Sequence, residues 1–170
     1  METEKLKILE LRVELEKEVP DQIHCIGYDP GTVNMGIAEI TSKMYATLYQ
    51  IWMKRDEDQV KRITGLHDII TDCIGKSSLY YYKTINVVIE GASFGNPYRQ
   101  TELGELRGSA VLWFVHSLPY AHIEIVPPSS IRKQVFGSGK VKAHEHWAEL
   151  KKYPDACAAL SCAYYAGGGE

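Results

Sequence analysis

Ile26-Gly27-Tyr28-Asp29-Pro30-Gly31-Thr32, continued by Asn34-Met35-Gly36-Ile37-Ala38, is the stretch from which the rest of the chain is read. An apolar run enters an Asp, a Pro-Gly turn reverses it, and a second apolar run returns through Gly36. This is the pattern of a β-hairpin with one carboxylate at its mouth. Unpaired charge beside a core is costly, so a buried strand ends on Asp for one of two reasons. Either the carboxylate has chemistry to do, or it caps the turn, a common use of Asp-Pro-Gly.

A second acid occupies a similar setting. Asn86-Val87-Val88-Ile89-Glu90-Gly91 is a short β-branched strand that delivers Glu90 at its end, and Asp155 opens an apolar helix near the C-terminus. Acids on three separate elements, with no cluster of His or Cys between them, suit hard, oxygen-liking cations such as Mg²⁺ better than zinc. Two such ions about 3.5 to 4 Å apart can clamp the attacking and leaving oxygens of an in-line phosphoryl displacement. The residues alone therefore point to a metal-dependent phosphodiester enzyme.

The chain resembles the RuvC-type Holliday junction resolvases of the RNase H-like nuclease superfamily over residues 23 to 166, with wording closer to phage-type members. The likeness rests on the Asp-Pro-Gly-Thr hairpin, the Val-Val-Ile-Glu strand and Leu103-Gly104-Glu105-Leu106-Arg107-Gly108. It continues through Pro127-Pro128-Ser129-Ser130-Ile131-Arg132-Lys133, Gly137-Ser138-Gly139-Lys140 and Asp155-Ala156-Cys157-Ala158-Ala159-Leu160. It implies an RNase H-like α/β fold, a mixed five-stranded sheet flanked by helices, spanning residues 23–170 behind an N-terminal extension of residues 1–22. It also implies a homodimer that binds four-way and other branched DNA and nicks opposed strands, with Asp29, Glu90 and Asp155 holding two Mg²⁺ or Mn²⁺ ions per site. The rival readings are another RNase H-like nuclease and a non-catalytic junction-binding protein.

Composition agrees with an ordinary globular chain: 170 residues, 45% hydrophobic and 24% charged. Cys25, Cys73, Cys157 and Cys162 lie in apolar contexts without paired spacing, so a reduced chain is expected rather than a disulfide scaffold. No apolar stretch reaches membrane length and the acidic N-terminus does not read as a signal peptide, so a soluble cytoplasmic protein, as in phage or bacteria, is expected. A net charge of -3 speaks mildly against a nucleic-acid partner. However, residues 1–22 hold seven acids against four bases, and residues 130–152 hold six bases against two acids.

Along the chain, residues 4–19 are rich in Glu, Lys and Leu and predict a helix ended by Pro20, although Leu9, Leu11, Val13 and Leu15 also alternate at period two. Strands are expected over 23–29, 35–41 and 44–53 as an antiparallel meander. A helix is expected over 56–74 with acids in its first turn, then a strand over 85–89, a helix over 101–118 and a strand over 122–126. A helix opened by Pro128 and Ser129 and a last helix over 154–166 complete the order.

Candidate DNA contacts follow. The loop 92–99 carries two aromatics; the resemblance implies that such a loop inserts an aromatic at the junction crossover, with Phe94 the first candidate and Tyr98 the second, and Arg99 beside them. Arg107, Arg132 and Lys133 sit where helix termini and Arg forks can take phosphates, and Lys140 and Lys142 are assigned to backbone phosphates. The resembled pattern usually carries a further Lys where Ala143 stands. The Gly-Ser-Gly-Lys run lacks Walker spacing, so nucleotide hydrolysis is not expected. His144 and His146 are read as DNA-facing or solvent-facing rather than as a zinc pair. His24, His67, His116 and His122 are read as structural, and Tyr80-Tyr81-Tyr82 as a packed loop.

One position departs from the pattern. Asp155 and residue 158 are i and i+3 on the last helix and share a face, and the resemblance implies an acid at both. Here the second is Ala158, so either three acids suffice or the chain is an inactivated variant, and the second reading is the one expected. For the loop, Phe94→Ala should lower cleavage of an intact four-way junction about tenfold to a hundredfold, because one stacked aromatic contributes roughly 1 to 3 kcal/mol. Binding should fall less, and a pre-opened junction should be cut almost normally; equal rates on the intact junction would remove Phe94 from this role.

Overall fold

The N-terminal segment shows propensity losing to packing. The computed structural model describes residues 6–20, 22–53, 58–74, 84–92 and 97–168. In it the helix expected over 4–19 is instead a strand, β1 (Leu6–Glu14). Leu9, Leu11 and Val13 are half-buried while Lys7, Glu10, Arg12 and Glu14 are exposed, so the period-two signal prevailed over the helix-forming composition. The reason is a waiting partner. β1 pairs antiparallel along the whole length of β4 (Tyr45–Met53), from Leu6 opposite Met53 to Glu14 opposite Tyr45. Lys7 also lies over the Trp52 ring at 5.2 Å and Arg12 over Tyr45 at 4.5 Å.

The meander is as the sequence implies, with β2 (Ile23–Asp29) and β3 (Asn34–Ile40) antiparallel and β3 antiparallel to β4. α1 (Gln59–Cys73) begins later than expected. Its cap is Asp58, whose carboxylate accepts from the Val60 and Lys61 amides at 2.9 and 3.3 Å, and its first turn holds no acid. β5 (Thr84–Glu90) then runs parallel to β2, α2 (Pro97–Ser117) crosses over, and β6 (His122–Val126) runs parallel to β5. The sheet order is β1-β4-β3-β2-β5-β6, six described strands where five were expected, the sixth being β1. The remaining helices are α3 (Pro128–Phe136), α4 (Ala143–His146) and α5 (Pro154–Ala166).

Strand alternation divides the core into two layers. Ile26, Tyr28, Ile37, Val87 and Ile89 face α1 and α2, while Cys25, Ala38, Leu48 and Val88 face α3, α4 and α5. All four cysteines are free and buried, and burial pushes the Cys25, Cys73 and Cys157 thiols up to about 12. No helix among the described residues is long and apolar enough to cross a membrane.

Two of the histidines read as structural are so. His24 is fully buried with Nε2 3.1 Å from Glu39, and His67 Nε2 lies 2.8 Å from the Ser109 hydroxyl, joining α1 to α2. His116 and His122 are instead exposed among the described residues, at the end of α2 and the start of edge strand β6. Tyr80, Tyr81 and Tyr82 lie outside the described residues.

α5 rests on the sheet backbone to backbone. A Cβ placed on Gly27 would stand 1.9 Å from the Ala159 carbonyl oxygen, and one on Gly36 would stand 2.0 Å from that of Asp155. Only glycine permits this approach, and the small residues Ala156, Ala159, Cys162 and Ala163 on α5 are all fully buried. Gly36→Ala should therefore lower stability by about 3 kcal/mol or more, the upper end of overpacking costs. Urea denaturation checks this; a loss under about 0.5 kcal/mol would mean that α5 can lift at little cost.

Candidate active site

The register that seats α5 also lines up the site. Asp29 is opposite Gly36, and Gly36 is opposite Gln50 on β4, so the three form one row across three strands. Asp155 sits above that row through its backbone contact with Gly36. Asp29 and Glu90 end the neighbouring parallel strands β2 and β5. Alternation from Cys25 and from Val88 turns both acids towards the α5 face. Pro154 opens α5 and places Asp155 in its first turn, where the helix dipole favours a carboxylate.

The three acids line one cleft of about 180 Å³, together with Ala158, Arg132, Lys142 and His144. Burial first, then the neighbouring Glu90 and Asp155, hold the Asp29 carboxyl well above the usual range, while Arg132 and Arg107 pull it back. Burial also raises Glu90, against the opposing pull of Arg132 and Arg107. Arg107 itself is lowered by burial, with Glu90 and Asp29 acting to keep it charged.

Among the described residues no three His, Cys, Asp or Glu side chains stand close enough together to form a ready-made metal cage. The donor set nevertheless fits a hard cation. It consists of carboxylates in a half-buried cleft, where burial first and the repulsion of neighbouring acids second raise Asp29 and Glu90. A divalent ion relieves that repulsion directly.

The other expected contacts sort by position. Arg132 and Lys142 line the cleft, and Lys142 Nζ also lies 3.7 Å from Glu145. Arg107 is tied down, its Nε donating to the Glu90 carbonyl at 3.0 Å, so it braces the strand end that carries Glu90. Lys133 and Lys140 are exposed on α3 and on the turn after it. Phe94 lies outside the described residues, as do the side chains of Tyr98 and Arg99 in the first turn of α2. Ala158 is on the cleft wall, so position 158 does face the acids.

Two residues were missed by sequence reasoning, Gln50 and Ser161. Gln50 is 1% exposed, donates Nε2 to Asp155 Oδ2 at 2.6 Å and accepts the Ala156 amide at 3.1 Å, so one side chain anchors both Asp155 and the start of α5. Its signal was an amide inside the apolar run Tyr49-Gln50-Ile51. Ser161 lines the cleft with its hydroxyl donating to the Ala158 carbonyl at 2.6 Å, and nothing in the sequence distinguishes it. His144, expected to face DNA or solvent, lies on the cleft wall. His146 instead stands 3.0 Å from Glu16 and packs against Phe136 and Trp147.

No family model matches the chain, and no curated protein matches it in sequence. The fold is nonetheless a recognisable one: a mixed sheet with helices on both faces, similar to that of RuvC. Two solved structures from Thermus thermophilus share it, RuvC and RuvC in complex with a Holliday junction substrate. Each has a TM-score of 0.60 and 15% identity, over 86% of this chain and 96% of the other.

Gln50→Leu should destabilise the chain by about 1 to 3 kcal/mol, since it strands the buried Ala156 amide without an acceptor. Gln50→Glu should cost at least as much by setting a carboxylate against Asp155. Chemical denaturation of both variants checks this, and an unchanged midpoint in both would remove Gln50 as the anchor of α5.

Proposed function

We propose that the chain is a structure-selective endodeoxyribonuclease that binds four-way and other branched DNA as a homodimer inside the cell and nicks opposed strands with Mg²⁺ or Mn²⁺. The observation that carries this reading is the convergence of Asp29, Glu90 and Asp155 on one cleft flanked by Arg132 and Lys142. The likeness in fold to a RuvC captured with a Holliday junction substrate supports the choice of DNA.

In this reading Asp29, Glu90 and Asp155 hold the ions, two per site. Bound divalent metal would supply an acidified water and Lewis-acid stabilisation of the leaving oxygen. The chain's own residues do the rest. Arg132 and Lys142 take the phosphate at the cleft, while Lys133 and Lys140 bind neighbouring phosphates and fix register without reading sequence. Arg107 and Gln50 keep Glu90 and Asp155 aimed.

Pairing of two copies is supported by the outer face of α2. Gly104, Gly108, Leu112 and Val115 follow one another at helical spacing, Leu112 is 58% and Val115 49% exposed, and among the described residues nothing stands within 4 Å of a Cβ on either glycine. A two-fold junction calls for two sites related by a two-fold axis. One observation favours the second reading, a junction binder without cleavage: the missing carboxylate at Ala158.

The deciding assay uses the purified chain on a labelled four-way junction with Mg²⁺, Mn²⁺ or chelator. Metal-dependent nicks at opposed positions are expected. Asp29→Asn and Glu90→Gln should each abolish them, at least a thousandfold, while leaving junction binding intact or tighter in the absence of metal. Tight binding without any nicking would support the second reading, and no preference for the junction over duplex DNA would overturn both.

A further inference from the structure

His144 and Ala158 reach the same cleft from different elements, α4 and α5. Ala158 sits one turn beyond Asp155 and contributes a methyl, which has no lone pair to offer an ion. His144 contributes an imidazole, which does. Its position is well determined although α4 is short: Ala143 before it is 6% exposed and Trp147 after it 3% exposed, so both flanking residues are packed into the core. The turn is closed at its start by the Lys142 amide donating to Glu145 at 3.4 Å. The His144 ring is half-buried, and among the described residues it makes no hydrogen bond or ion pair. His146, two residues on, differs in both respects, being exposed and engaged with Glu16.

We propose that His144 is the fourth donor of the metal centre, standing in for the carboxylate absent at Ala158, so that the site holds its ions with three carboxylates and one imidazole. This rests on the metal-dependent reading of the cleft given above. It has a chemical consequence. Replacing a carboxylate by a neutral nitrogen removes one negative charge and introduces a softer ligand, and imidazole suits Mn²⁺ and later transition ions better than it suits Mg²⁺. The site is thereby biased towards Mn²⁺, which is a specificity and not a defect. The side chains of α4 and α5 must draw in to reach an ion, since none of the described groups is preassembled as a cage.

The test binds Mn²⁺ to the purified full-length chain and reads it in two ways, without DNA. Electron spin echo envelope modulation of bound Mn²⁺ should show coupling to a coordinated nitrogen, and calorimetry should give its affinity. In His144→Ala the nitrogen coupling should vanish and affinity should fall at least about tenfold, on the scale that loss of a metal-supporting group produces, with circular dichroism unchanged. Adding Ala158→Asp to that variant should restore Mn²⁺ affinity without restoring nitrogen coupling, and should raise affinity for Mg²⁺.

Absence of nitrogen coupling in the parent chain, or its survival in His144→Ala, would overturn the proposal. If Asp29→Asn removes Mn²⁺ binding while His144→Ala leaves it unchanged, His144 is not a ligand but the carboxylate centre stands. Nitrogen-coupled Mn²⁺ in a chain that cuts no junction would refute the nuclease reading and leave His144 as a ligand. Failure of the parent to bind Mn²⁺ at all would refute both.

Discussion

The seating of α5 on two glycines is the contact on which the rest depends. The sheet supplies Gly27 and Gly36, the helix supplies Ala159 and the Asp155 backbone, and no side chain stands between them. Core packing tolerates little slack, so this contact sets the height of α5 above the sheet and its position along β3. Asp29 lies opposite Gly36 in the register, so fixing Asp155 over Gly36 fixes it beside Asp29. Gln50, the third member of the row, then holds the Asp155 carboxylate and the Ala156 amide at once. The spacing of two acids is thus a by-product of backbone packing, in which loops take no part.

Bringing acids together in this way works against folding in the absence of cations. Asp29 and Glu90 are each raised by burial and by a neighbouring acid, and like charges in a half-buried cleft repel more strongly than in water. Two arginines offset this. Arg132 lines the cleft, and Arg107, held by its bond to the Glu90 backbone carbonyl, lowers Asp29 and Glu90 without lining it. The two guanidinium groups thus offset part of the negative charge that the three acids gather in the cleft. Part of the negative charge of a chain of net charge -3 is gathered in this one cleft, while residues 130–152 hold six bases against two acids.

The strands and the acids at their ends were legible because they are local. Period-two runs closed by Asp29 and Glu90, and a Pro-led helix opening with Asp155, need no knowledge of distant partners. What was not legible depended on partners. Residues 6–14 carry helix-forming composition and a strand pattern together, and only the open edge of β4 decides between them. Gln50 looks like a polar interruption until Asp155 is set above it, 105 residues later in the chain. Gly36 reads as a hairpin residue, whereas its role is to admit the helix backbone. His144 and His146 were given one reading, as DNA-facing or solvent-facing, and the structure separates them, placing His144 on the cleft wall and His146 beside Glu16 at the surface.

These dependencies separate what holds the site from what tunes it. Position 158 adjoins Ala159, whose carbonyl bears on Gly27, and precedes Leu160, buried in the core. The helix is therefore fixed on its inner face whatever side chain 158 turns to the cleft. A carboxylate can be lost there without moving Asp155, because Asp155 is held by Gly36 and Gln50 and owes nothing to its neighbour one turn on. A scaffold that decouples backbone placement from cleft charge allows one donor to be exchanged for another supplied by a different element, and α4 brings such a donor to the same cavity. Under the proposed metal reading, the departure at Ala158 changes which atoms would meet the ion, at a point where the backbone contacts that seat α5 are unaffected.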